Sequence, residues 1–101
     1  MLNPVKEHEP LNRWGRMRRD YLKNHRKAMY SDLVLSENLW EHLETTQNEA
    51  EEMFDLLVTQ MAEKQEVNEE LKAKDQMRWI GLMNNIRNSA EEIVRTEIIY
   101  S

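Results

Sequence analysis

Between Leu39 and Met61 the sequence repeats apolar or small residues at steps of four and three: Leu39, Leu43, Thr46, Ala50, Met53, Leu57 and Gln60 or Met61. Alternating steps of that kind make a seam of coiled-coil type, here about three heptads long, and Trp40, Phe54 and Val58 widen it on one side. The spacing predicts a helix over about residues 37–65, with the Ser36 hydroxyl placed to accept from one of its unsatisfied first-turn amides. At 1.5 Å per residue that helix is about 45 Å long. It cannot bury its seam on itself, so the chain has to supply a partner of similar length.

Residues 76–100 answer that need. Trp79, Leu82, Met83, Ile86, Ala90, Ile93 and Val94 fall within one arc at 100° per residue, and the matched lengths predict an antiparallel hairpin joined near residues 66–70. Asn68 and Asp75 both have the character of N-caps, so a short helical turn over 68–74 is expected between the long helices. Gly81 interrupts the third helix at a cost of about 1 kcal/mol relative to Ala. Either the position tolerates drift, or another helix backbone approaches closely there.

Upstream, Leu11, Trp14, Met17, Tyr21, Leu22, Ala28, Met29 and Leu33 recur at helical spacing from just after Pro10, which predicts a first helix over about residues 11–35 with a bend near residue 25 as the alternative to an unbroken run. With two Gly and two Pro in 101 residues, almost nothing opposes helix, and unbranched Leu, Met, Glu, Lys, Arg and Gln favour it. The expected class is all-α: a three-helix bundle built on the long antiparallel hairpin, with an N-terminal amphipathic basic helix packed across it. Residues 11–101 then form a single helical domain, and residues 1–10, bounded by Pro4 and Pro10, read as an extended N-terminal arm.

The first helix carries the strongest charge feature. Residues 13–27 hold seven Lys or Arg against one Asp, a local charge of +6 in a chain whose net charge is −5. On a helical wheel the apolar set fills one arc, and Arg13, Arg16, Arg19, Lys23, Arg26 and Lys27 fill the opposite one. The basic side as a whole cannot dock on acidic helices of its own bundle, because the apolar stripe already faces those helices; only edge residues such as Arg13 and Arg26 can reach acids there. Two readings stay open: a row of cations that neutralises phosphates, the sequence-independent part of nucleic-acid affinity, or the solvated side of an amphipathic helix. Arg18 and His25 fall near the centre of the apolar arc. An interior, hydrogen-bonded His25 is expected, and an Arg18 that lays its stem on the core and meets a carboxylate, since a buried guanidinium without a partner is costly. Glu97 shares the helical angle of Trp79 on the third helix, which makes Arg18 with Glu97 the candidate structural ion pair.

Catalytic and metal-binding patterns are missing from the string. His8, His25 and His42 stand seventeen residues apart with no second ligand one helical turn away. No Gly-rich phosphate loop occurs, and the absence of cysteine removes disulfides, thiolate metal sites and a cysteine nucleophile. The expectation is a protein that is not an enzyme, with no catalytic residues, no metal and no cofactor. No apolar run approaches the ~20 residues that span a bilayer, and the N-terminal residues lack a targeting pattern. A cytoplasmic protein without a membrane partner or small-molecule substrate is expected.

As a string, the chain resembles the family of transposon-encoded proteins called TnpV, from mobile elements of Gram-positive bacteria. The matching stretches are Gly15-Arg16-Met17-Arg18, Tyr21-Leu22-Lys23, His25-Arg26, Tyr30, Leu35-Ser36, His42-Leu43, Leu71-Lys72-Ala73 with Asp75, Met77 and Trp79, Leu82-Met83-Asn84, and Ala90-Glu91-Glu92-Ile93 through Tyr100. Three places depart from the pattern. The longer apolar N-terminal segment frequent in the family shrinks here to ten residues, Ser36-Glu37-Asn38 stands where Ser-Gly-Lys is expected, and Asp75-Gln76 replaces a frequent Asp-Pro. The resemblance implies a mobile-element context, a family without an established molecular activity, and a protein that is not the transposase.

Two functions from different classes follow. The first is a non-enzymatic accessory or regulatory protein of a transposon or integrative element that contacts DNA through Arg13, Arg16, Arg19, Lys23, Arg26 and Lys27. The alternative is a helical protein-interaction module without nucleic-acid binding. In it the basic face meets an acidic partner, another protein of the element, or the acidic face of a second copy at Glu41, Glu44, Glu51, Glu52 and Asp55. A homodimer is a possibility under either.

Overall fold

A computed structural model describes residues 10–101; the expected N-terminal arm, Pro10 apart, and His8 lie outside the described residues. Of the described residues 85 % are helical and none lies in a strand, so the fold is all-α, as the scarcity of Gly and Pro implies. Five α-helices follow one another among them: α1 (Arg13–His25), α2 (Lys27–Leu35), α3 (Leu39–Lys64), α4 (Glu69–Lys74) and α5 (Gln76–Val94), with a π-helical turn at Arg95–Ile99. They divide into two compact units after Asn48, a point inside α3.

In the first unit, α1 begins where Asn12 takes an extended conformation and its side chain accepts from the Trp14 and Gly15 N–H groups at 2.9 and 3.1 Å. That satisfies two of the four donors a helix start leaves open. The Asn12 N–H in turn donates to Gln47 Oε1 at 2.9 Å, which pins the start of α1 to α3. Gly15 is buried at this crossing; a β-carbon there would run into Gln47 Oε1 and stand 3.0 Å from Leu11 Cδ2. Leu11, Leu22 and Leu43 form the core, and Tyr21, Met29, Tyr30, Leu33, Leu39 and Trp40 pack around it.

The helical ladder breaks at one residue. Arg26 has φ −136° and ψ 56°, yet its N–H still donates to the Leu22 carbonyl and its own carbonyl accepts from Tyr30 N–H. The chain thus resumes helix at once but with a rotated phase. His25, the last residue of α1 before this break, is exposed rather than interior; its ring lies 5.6 Å from that of Tyr21. After the break Ala28 turns outward, while Met29, Tyr30 and Leu33 take the core side.

α2 closes in a two-bond C-cap: Asn38 N–H reaches the Leu33 carbonyl at 2.9 Å and Glu37 N–H the Val34 carbonyl at 3.1 Å, with Glu37 left-handed at φ 62°. Ser36 therefore caps the end of α2 instead of the start of α3, and its hydroxyl donates back to the Leu33 carbonyl at 3.3 Å. On α3, Thr46 is buried within the seam and its hydroxyl is spent on the His42 carbonyl at 2.8 Å, a local bond that lets a polar residue sit there.

In the second unit, α3 ends in the same C-cap. Glu66 takes φ 56°, and Val67, buried, donates to the Ala62 carbonyl at 2.8 Å. Asn68 caps α4 through Leu71 N–H (2.9 Å), and Asp75 both terminates α4 and caps α5 through Arg78 N–H (3.1 Å). Along α5 the buried line is Ile86, Ala90 and Val94, at steps of four. After Val94 the π turn adds a residue, so Ile99 is the next buried side chain and Glu97 faces solvent. A β-carbon added at Gly81 would meet no atom within 4 Å, so no helix backbone approaches there and the position tolerates its glycine.

Candidate nucleic-acid interface

The wheel placed six cations opposite the core, and five of them, Arg13, Arg16, Lys23, Arg26 and Lys27, are exposed; Arg19 is half-exposed. What holds the face outward is the apolar side of the same helix, where Trp14 and Leu22 are fully buried. At 1.5 Å per residue, Arg19 and Lys23 succeed one another along α1 in a step of about 6 Å, and Lys27 opens α2 after the break at Arg26.

The upper half of this row is fixed by the chain itself. The Arg13 guanidinium lies 4.3 Å over the Trp14 ring, a cation–π contact that orients it without consuming its charge. Arg16 Nη1 donates to the Leu11 carbonyl at 2.6 Å. Arg19 lies 3.6 Å from Asp20, with both side chains well exposed, and an ion pair in that setting contributes little. Lys23, Arg26 and Lys27 have no ion-pair partner among the described residues. The lower half of the row is thus a set of uncommitted positive charges.

Arg18 takes the opposite course. It is 5 % exposed, and its Nε donates to His42 Nε2 at 3.2 Å, which requires the His42 tautomer with its proton on Nδ1. The Tyr21 ring centre is 5.7 Å from the guanidinium. Burial pushes the Arg18 pKa down, Tyr21 opposes that shift, and the Arg26 charge adds to it. A cation whose folded pKa is lowered is destabilising wherever it is charged, and that penalty lifts only as pH climbs through the folded pKa. Glu97, the expected partner of Arg18, is an exposed residue of the second unit. The contact with His42 was not anticipated; His42 precedes the seam residue Leu43, and that adjacency was the available signal.

Of the acidic set on α3, Glu41, Glu51, Glu52 and Asp55 are exposed and Glu44 is half-buried. No three His, Asp or Glu side chains are grouped as metal ligands among the described residues, and no described helix is long and apolar enough to cross a membrane.

A family model described as transposon-encoded protein TnpV matches residues 1–99. The chain belongs to the TnpV family. No curated protein and no solved structure matches it. Membership puts the chain in a transposon-encoded family, and within it the TnpV segments quoted from the sequence run through both units: Gly15-Arg16-Met17-Arg18 builds the crossing and the buried arginine, and Ala90 through Tyr100 builds the end of α5 and the π turn.

Proposed function

We propose that this TnpV protein is a non-enzymatic accessory or regulatory factor of its mobile element, acting in the cytoplasm, and that it associates with DNA through the outer face of α1 and the first residue of α2. The observation that carries this reading is the exposure of Lys23, Arg26 and Lys27 without an ion-pair partner among the described residues, next in the chain to the outward Arg13, Arg16 and Arg19 of α1. The contacts are to phosphates. A strip of Lys and Arg without an inserted base-reading element gives affinity that does not depend on sequence and falls steeply with salt. Six neutralised phosphates correspond to a slope of log K against log salt of about −5.

The test is fluorescence anisotropy with a random-sequence duplex at low salt, comparing the wild type with an Arg19→Glu, Lys23→Glu double variant. Neither side chain holds the fold, so circular dichroism should be unchanged. Binding weakened by at least tenfold supports the reading. Absence of binding by the wild type, or binding indifferent to the reversal, contradicts it.

A further inference from the structure

The apolar surface left uncovered in the first unit gathers on α2. Leu35 is 81 % exposed and Val34 45 %, and with Tyr30 and Ser31 they line a shallow cavity of about 230 Å³. No residue of α2 is buried. Its outward stripe reads Lys27 and Ala28, then Ser31, then Val34 and Leu35, all exposed, so the large apolar side chains stand at one end and the small ones at the middle and the other end. That gradient complements itself when a copy is turned end for end.

We propose that this stripe is the contact of a two-fold homodimer, in which two copies of α2 cross antiparallel at Ser31. Leu35 of one copy then covers Ala28 of the other, and Val34 lies beside the Tyr30 ring and the Lys27 stem, closing the cavity from both sides. Glu37, just past the end of one helix, comes beside Arg26 and Lys27 at the start of the other. The charge pattern selects this direction: a parallel pairing would set Lys27 against Lys27 and Glu37 against Glu37. The same patch serves both copies, as a closed two-fold contact requires. A nine-residue helix is only about 13 Å long, so the contact belongs with transient interfaces below about 1,200 Å², with a Kd on the order of 10–100 μM. It engages Arg26 and Lys27, leaves the outer face of α1 from Arg13 to Lys23 uncovered, and does not depend on DNA binding.

Sedimentation velocity of the full chain without DNA, from 5 to 500 μM, tests it. The wild type should pass from monomer to dimer, and 1 M salt should weaken the dimer without abolishing it, because apolar burial is not screened. Leu35→Glu should remain monomeric throughout with unchanged helicity, since an exposed side chain has no buried contact to lose. Lys27→Glu should weaken the dimer, and adding Glu37→Lys should restore it. A wild type monomeric at 500 μM overturns the proposal and leaves the patch to another occupant. A Leu35→Glu protein that still dimerises, or a charge exchange that fails to restore the dimer, overturns the contact and its direction respectively.

Discussion

Glu37 and Glu66 occupy the left-handed residue of the same C-cap at φ 62° and 56°. A side chain with a β-carbon pays about 1–2 kcal/mol there, and glycine is free of that penalty. Glu37→Gly is therefore expected to raise stability by about 1 kcal/mol in urea denaturation at concentrations where the chain is monomeric; a loss of stability would mean that Glu37 holds a compensating contact. The resemblance to the family implies glycine at this position, so the departure is legible in the string, but its cost is not, because φ is not written there. The two glycines separate in the same way. Gly81 and Gly15 are alike as letters within helical patterns, yet Gly81 faces open space and Gly15 sits under Gln47. Gly81→Ala should stabilise by up to about 1 kcal/mol. Gly15→Ala gains the same propensity but loses the Asn12–Gln47 hydrogen bond, worth about 0.5–1.5 kcal/mol, and crowds Leu11, so it should be neutral or destabilising in the wild type and less so once Gln47→Ala has removed the nearest obstacle. Equal effects in both backgrounds would contradict the crossing.

Elements were legible wherever one period runs without interruption. Leu43 and Ala50 on α3, and Ile86, Ala90 and Val94 on α5, are buried as the seams place them, because helical periodicity is a local property that the residues themselves set. It failed where the period shifts. The break at Arg26 rotates everything after it, which brought Ala28 out and left Val34 and Leu35 uncovered; nothing in Asn24-His25-Arg26 breaks a helix as proline would. The π turn did the same for Glu97 and Ile99. At Asp75-Gln76, by contrast, the string and the structure agree on the start of a helix. Gln76 is the first residue of α5, where a missing N–H costs nothing and a fixed φ is pre-organised. Gln76→Pro, the family's frequent residue, should leave thermal stability unchanged or raise it by up to about 1 kcal/mol; a clear fall in Tm would show that the α4–α5 junction needs a different backbone.

At the scale of the whole molecule, charge is the organising property. Residues 13–27 carry +6 and residues 28–101 carry −10, and the basic segment concentrates positive field locally while the acidic remainder opposes approach to phosphates. The wheel identified the outward Arg13, Arg16, Arg19 and Lys23 because these need only the phase of α1; Arg26 and Lys27 stand at and after the break and are exposed as well. It could not say which of them were held in place: the Arg16 bond to Leu11 and the Arg13 stack on Trp14 come from how α1 starts, beyond any spacing rule, and neither removes the charge. The most direct measurement is the salt dependence of binding to a random duplex between 25 and 200 mM monovalent salt. A slope of log K near −5 that becomes shallower by about 2 units in the Arg19→Glu, Lys23→Glu variant is the expected result. A wild type that does not bind at 25 mM, or a slope that the variant leaves unchanged, would contradict DNA association through this face.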